Sequence, residues 1–162
     1  MKPKLAIHKF TSCDGCQLAF LNAGEDILIL SELMDIVHFA EAGKINLESL
    51  VDITFVEGSI STPDEVDRIK AIREHSKYVI TIGACATAGG VQALRNAANY
   101  PEWIHSVYAK PEYIHSLSTS TAISNHIKVD WELWGCPVNT KQVLEALRFL
   151  LSGATPQIKR DA

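Results

Sequence analysis

Four cysteines are the residues of this 162-residue chain whose type and spacing best suit chemistry. Cys13 and Cys16 form a Cys-x-x-Cys pair, whereas Cys85 and Cys136 stand far apart along the chain. In a reducing compartment an even cysteine count favours metal or redox chemistry over disulfides. Each cysteine has a glycine within two residues, and in the first pair we expect Gly15 to permit the backbone turn and to leave room for a bulky inorganic ligand.

Four thiolates could serve several purposes. A structural zinc ion usually joins two close cysteine pairs, and only one such pair is present. A thiol-disulfide pair of the thioredoxin type would use Cys13 and Cys16 but would leave Cys85 and Cys136 without a role. Buried cysteines that act only as small hydrophobic residues explain one such position better than four. The pattern favours a 4Fe-4S cluster, which needs four thiolates on surrounding loops, and leaves the other readings open.

The elements that must position these cysteines alternate between strands and helices. Apolar runs predict strands at 5–8, 36–40, 53–56, 78–82 and 127–134. Helical periodicity and capping residues predict helices at 17–33, 63–75, 91–98 and 140–152. This alternation predicts an α/β fold, specifically an open parallel sheet of the flavodoxin-like type.

Every cysteine follows a predicted strand, and so does Glu57. Because the carboxyl ends of parallel strands share one edge, we expect Cys13, Cys16, Cys85 and Cys136 to converge there. Glu57 would lie beside them. Its carboxylate could relay protons or bond a partner subunit, or it could simply cap backbone N–H groups of its own loop.

Composition limits the classes of protein to consider. With 47% hydrophobic and 21% charged residues, the chain suits one compact domain, which we place at 1–156 with a tail at 157–162. A net charge of −4 argues against a nucleic-acid partner. No apolar run is long enough to cross a bilayer, and no signal peptide or twin-arginine pair is evident, so we expect a cytoplasmic protein.

The cysteine loops, taken together with the Glu57 loop, resemble a known family. The segments 11–17 (TSCDGCQ), 56–60 (VEGSI), 83–90 (GACATAGG) and 135–139 (GCPVN) are similar in order and interval to the small subunit of NiFe hydrogenases. The similarity is greatest to the delta subunits of NADP-reducing hydrogenases, also called sulfhydrogenases, and to NAD-linked enzymes. The related 20 kDa subunit of respiratory complex I begins instead with adjacent cysteines.

This resemblance implies that Cys13, Cys16, Cys85 and Cys136 bind one proximal 4Fe-4S cluster. The chain would conduct electrons between the NiFe site of a large subunit and a NAD(P)-linked diaphorase module with further iron-sulfur subunits. Longer relatives add cysteines for more clusters, whereas here none follows Cys136. Either this is a one-cluster subunit or a carboxyl-terminal region is missing. The alternative function is that of an iron-sulfur subunit in a hydrogenase-related or complex I-like assembly without NiFe.

Residues between Cys85 and Cys136 receive simpler interpretations. His105, His115 and His126 have no spacing that indicates a shared metal, and we expect surface or interface positions. The glycine-rich segment 83–90 matches no nucleotide-binding motif. Because a proximal cluster must lie against the large subunit, we expect apolar contact surface around the cysteine edge.

Overall fold

A computed structural model of the protein describes residues 2–46 and 49–153. Its strands are β1 (Lys4–Lys9), β2 (Asp35–Phe39), β3 (Val51–Glu57), β4 (Ser76–Ile82) and β5 (Trp131–Leu133). Its α-helices are α1 (Gly15–Leu21), α2 (Glu25–Leu33), α3 (Pro63–Glu74), α4 (Gly83–Ala88), α5 (Tyr100–Val107) and α6 (Thr140–Leu151). Short 3₁₀ helices lie at Ala40–Ala42, Val91–Ala97, Pro111–Tyr113 and Ile123–Asn125. The expected tail at 157–162 and the end of the expected domain at 156 lie outside the described residues.

The strands form one parallel sheet in the order β2-β1-β3-β4-β5. This is the flavodoxin-like order, with the reversal of strand order between β1 and β3. The predicted fold class is confirmed. The carboxyl ends of β1, β3, β4 and β5 therefore share one edge, and all four cysteines and Glu57 lie at it.

Apolar residues cover both faces of this sheet. On one face, Phe20 of α1 and Leu147 of α6 pack with strand residues such as Phe55. On the other face, Ile69 of α3 packs with Val56 and a second set of strand residues. A sheet buried on both faces explains the continuous apolar runs that predicted its strands.

Helix α3 begins at Pro63, as predicted, and a capping box holds its first turn. The Thr62 hydroxyl accepts a hydrogen bond from Glu65 N at 3.3 Å, and Glu65 Oε2 accepts one from Thr62 N at 3.1 Å. Asn139 likewise caps α6 by accepting a hydrogen bond from Lys141 N at 3.0 Å. These capping groups satisfy N–H donors that the first helical turn leaves free.

Three predicted elements are wrong in extent or type. The helix expected at 17–33 is two helices, because the chain turns at Gly24 with φ of +64° before α2. The segment at 91–98 is a 3₁₀ helix, while an additional α-helix, α5, follows it. The last strand covers only Trp131–Leu133 and not 127–134, because Asp130 turns its side chain to accept a hydrogen bond from Val79 N at 2.8 Å.

Candidate metal centre

The Cys13 and Cys16 loop leaves the end of β1 and turns into α1. Its left-handed residue is Asp14, with φ of 64°. The expectation that Gly15 permits this turn is therefore wrong. The Asp14 carboxylate lies 2.6 Å from Lys9 Nζ and accepts a hydrogen bond from Ser12 Oγ at 3.1 Å. These contacts hold a conformation that is costly for a residue with a side chain.

The Cys85 segment is a short helix, α4, where a loop was expected from the small residues. Its Ala84 N–H donates to Gly135 O at 2.7 Å, which ties this helix to the loop that carries Cys136. The loop that carries Cys136 is closed by an isolated β-bridge between Gly135 and Val138. Val138 N–H in turn donates to Cys16 Sγ at 3.4 Å. The three cysteine-bearing segments are therefore joined by hydrogen bonds at one edge.

The thiols influence one another electrostatically. Burial raises the pKa of Cys16 to about 12, and repulsion from Glu57, Cys85 and Cys13 adds to this rise, while the Val138 N–H opposes it. Burial also raises the pKa of Cys85, with further repulsion from Cys13 and Cys136. The sequence prediction that the four cysteines converge agrees with this mutual influence. Cys16 is buried, Cys85 is half-buried, and Cys13 and Cys136 are exposed.

Two glycines allow sulfurs to pack directly against the backbone. A Cβ atom at Gly83 would lie 2.4 Å from Cys16 Sγ, and one at Gly90 would lie 2.6 Å from Cys85 Sγ. Real Cβ atoms essentially never come closer than 3.0 Å to a heavy atom. Neither position can carry a side chain unless the sulfur moves.

Glu57, at the end of β3, bonds a neighbouring loop. Its Oε1 accepts a hydrogen bond from Cys16 N at 3.0 Å, while its Oε2 has no partner among the described residues. The side chain is 2% exposed, and burial raises its pKa. The N–H groups of Cys16 and Gln17 and the Gln17 amide act in the opposite direction. The hydrogen bond from Cys16 N–H to Glu57 fixes the Cys16 backbone. A proton-relay role for Glu57 stays a prediction.

Two glutamines at this edge were missed by sequence reasoning. Gln17 is fully buried beside Glu57, and neither of its amide atoms has a hydrogen-bond partner of ordinary geometry among the described residues. Gln92 places its amide 3.6 Å from Cys85 Sγ. A cue for Gln92 was available in the Gly89-Gly90 pair, because two glycines after a helix allow the chain to fold back over it.

Other candidate ligands do not join this site. His105 and His115 are exposed, and His126 pairs with Thr121 Oγ1 at 2.8 Å. Within residues 2–46 and 49–153, no three His, Cys, Asp or Glu side chains are arranged to hold one metal ion. Within the same ranges, no helix is both long enough and apolar enough to span a bilayer.

Large apolar side chains are exposed next to the cysteine segments. Leu18 follows Cys16 in α1, Val91 and Leu94 follow α4, and Trp134 lies between β5 and Cys136. Leu18 is 47% exposed and Val91 is 73% exposed. The apolar contact surface expected from the sequence has suitable residues beside the cysteine segments.

Comparison with known proteins supplies the family. Residues 13–150 match the family described as the NADH ubiquinone oxidoreductase, 20 Kd subunit. The chain belongs to this family. Among its relatives, it is 29% identical over 156 residues to the sulfhydrogenase 2 subunit delta of Pyrococcus furiosus and covers 65% of that protein. It is 25% identical to the NAD-reducing hydrogenase HoxS subunit delta of Cupriavidus necator, aligned over 94% of this chain and 80% of that protein.

Structural comparison agrees with the family assignment. A chain in the crystal structure of the NAD+-reducing [NiFe]-hydrogenase in the H2-reduced state superposes with a TM-score of 0.86 and 22% identity, over 99% of this chain and 97% of that chain. At this identity the likeness establishes the fold. The resemblance to hydrogenase small subunits noted in the sequence is confirmed by these relatives. The chain spans less than two thirds of the Pyrococcus protein that it matches, at 65% of its length.

Proposed function

We propose that this chain is the electron-transferring small subunit of a cytoplasmic NiFe hydrogenase. In this proposal Cys13, Cys16, Cys85 and Cys136 bind one 4Fe-4S cluster. The cluster would lie between the NiFe site of a large subunit and a NAD(P)-linked diaphorase module. Both relatives described above are named as hydrogenase subunits, which supports the choice of partner. One of them is named as NAD-reducing, which supports the choice of electron acceptor.

The observation that carries the proposal is the convergence of three segments, which together carry four cysteines, at one edge of the sheet, where hydrogen bonds join them. An all-sulfur donor set is typical of iron-sulfur and zinc sites. A structural zinc ion usually joins two close cysteine pairs, whereas only Cys13 and Cys16 are close in sequence here. A 4Fe-4S cluster takes its thiolates from several surrounding loops, and this favours 4Fe-4S over zinc.

The protein groups around the cysteines are suited to holding such a cluster. Val138 N–H already donates to Cys16 Sγ, and hydrogen bonds to ligand sulfurs tune cluster potentials. Glu57 fixes the backbone at Cys16 through its N–H. When bound, a 4Fe-4S cluster supplies one-electron steps. The chain itself supplies the ligands, their orientation and a partly buried environment.

A thiol-disulfide function receives less support from the same geometry. Such a pair would use Cys13 and Cys16 alone. Cys85 lies near enough to act electrostatically on both of them, and a two-thiol function gives this third sulfur no role. Four free thiols also fit a protein of a reducing compartment, which supports the cytoplasmic location.

The direct test is metal analysis of the complex purified without oxygen. For this chain purified with the large subunit alone, we expect about four acid-labile sulfides per copy, about four irons in addition to that of the NiFe site, and an electron paramagnetic resonance signal on reduction. Zinc without sulfide, or no metal at all, would overturn the proposal.

A second candidate is an iron-sulfur subunit of an assembly without NiFe, favoured by the description of the family itself as a 20 Kd subunit of NADH ubiquinone oxidoreductase. The large subunit that co-purifies distinguishes the two functions. Nickel in that partner and hydrogen-dependent dye reduction support the hydrogenase. A nickel-free partner with an intact cluster on this chain supports the second candidate.

A further inference from the structure

Gln92 places its side-chain amide against the sulfur of Cys85. It belongs to the 3₁₀ helix Val91–Ala97, which follows α4 after the Gly89-Gly90 turn. Its Oε1 and Nε2 atoms both lie 3.6 Å from Cys85 Sγ. The side chain is half-buried, so water competes only in part for these amide groups.

A second contact fixes which amide atom is the donor. Gln92 Nε2 donates to Thr11 O at 2.8 Å, and Thr11 belongs to the loop that leads to Cys13. A carbonyl oxygen can only accept, so the nitrogen must face it. One N–H of the amide is thereby used, and the second remains available on the side of Cys85.

The protonation of sulfur decides how this amide is used. A free thiol can donate its S–H to Oε1 of Gln92, whereas an iron-bound thiolate has no proton and can only accept. The group that can then approach the sulfur favourably is the second N–H of Nε2. A charge-assisted hydrogen bond of this kind is stronger than a neutral one.

Gly90 makes room for the contact. A Cβ atom at this position would lie 2.5 Å from Gln92 Oε1 and 2.6 Å from Cys85 Sγ. The residue has φ of +64°, a conformation that favours glycine. A side chain at residue 90 would collide with both the Gln92 amide and the Cys85 sulfur, so glycine at this position permits their contact.

We propose that Gln92 raises the redox potential of the cluster by donating an N–H to Cys85 Sγ, while its bond to Thr11 holds the amide in place. This proposal rests on the proposed function, because it takes Cys85 as a cluster ligand. Reduction adds negative charge to the cluster and its sulfurs, so a donor to sulfur stabilises the reduced form more than the oxidised form. Gln92 is a positioning and tuning residue and touches a ligand, not a substrate.

The test compares midpoint potentials in the purified complex. Gln92→Met keeps an unbranched side chain of similar length but has no N–H, and we expect its cluster to be harder to reduce. The oxidised-to-reduced ratio at a fixed solution potential should rise by up to about tenfold, which corresponds to about 59 mV for a one-electron couple. Gln92→Glu replaces the donor with a negative charge and should shift the potential further in the same direction.

Asn96→Leu is the matched control. Asn96 lies in the same 3₁₀ helix, and its amide exchanges two hydrogen bonds with the Ser120 backbone, both at 2.7 Å. Replacing Asn96 removes its bonds to Ser120 and loosens the 3₁₀ helix, but it removes no hydrogen-bond donor from a sulfur. The midpoint potential of the cluster should therefore stay at the wild-type value. Redox titration followed by electron paramagnetic resonance measures all three variants.

The outcomes separate this proposal from the proposed function. A wild-type complex without a 4Fe-4S cluster overturns the proposed function itself. A wild-type cluster whose potential is unchanged in Gln92→Met and Gln92→Glu overturns only the role of Gln92. The same conclusion follows if Asn96→Leu shifts the potential equally, or if both Gln92 variants fail to hold a cluster that Asn96→Leu retains, because the residue then acts in assembly.

Discussion

Gly83→Ala should disrupt the cysteine site more than any ordinary loop substitution. Gly83 begins α4 with φ of +83°, and an added Cβ would lie 2.4 Å from Cys16 Sγ. Cys16 is buried, and its sulfur accepts the Val138 N–H, so the sulfur cannot rotate away without losing that bond. The substitution should therefore displace one of the proposed cluster ligands.

The magnitude has two parts. A non-glycine residue in the left-handed region costs roughly 1–2 kcal/mol, and overpacking a filled site costs about 1–3 kcal/mol more. The matched control is Gly43→Ala, because Gly43 has φ of +73° and no atom within 4 Å of its would-be Cβ. This control carries the conformational cost alone. We expect Gly83→Ala to destabilise the chain by about 2–5 kcal/mol and Gly43→Ala by about 1–2 kcal/mol.

Two measurements check this prediction. Urea unfolding followed by tryptophan fluorescence gives the free energy of unfolding, and acid-labile sulfide analysis of this chain purified with the large subunit alone gives the cluster content. Gly83→Ala should lose most of its acid-labile sulfide, whereas Gly43→Ala should keep it. Equal sulfide content and equal unfolding midpoints in the two variants would refute the close approach of residue 83 to the Cys16 sulfur.

Three further predictions concern the site and its surroundings. Cys85→Ser should lose the cluster and electron delivery to the external acceptor while nickel persists in the large subunit; unchanged acceptor reduction would count against a ligand role. Glu57→Leu leaves the buried Cys16 N–H unpaired and should cost about 1–3 kcal/mol in urea unfolding, whereas Glu57→Gln keeps an acceptor oxygen and should cost less. Burial, with nearby His38 and Arg68, lowers the pKa of His8 from 6.5 to about 3. Below pH 6.5 the unfolded chain binds a proton at His8 that the folded chain excludes. The contribution of His8 to stability should therefore be complete above pH 6.5 and should fall as the pH drops towards 3, by up to about 1.4 kcal/mol per pH unit. His8→Phe should flatten this profile, and an equally steep fall in that variant would exclude His8 as its cause.

Much of the fold follows from local patterns. Apolar runs such as 78–82 fix buried strands, and the Thr62 and Glu65 pair fixes a helix start, because these signals act over a few residues. The predicted strand at 127–134 was too long because its limit depends on a remote group. Asp130 bonds Val79 N, 51 residues away, and that contact is not encoded in the local pattern.

The sequence by itself determined the cysteine set, its placement after successive strands and hence the shared edge. Only the tertiary structure decided which groups approach each sulfur. Val138 N–H reaches Cys16 across 122 residues, and Gln92 joins Cys85 to the carbonyl of Thr11, 81 residues away. Such contacts depend on strand order and on how each crossover returns to the sheet. A parallel sheet makes neighbours of loops that are distant in sequence, so the surroundings of each sulfur become apparent only when the sheet is assembled.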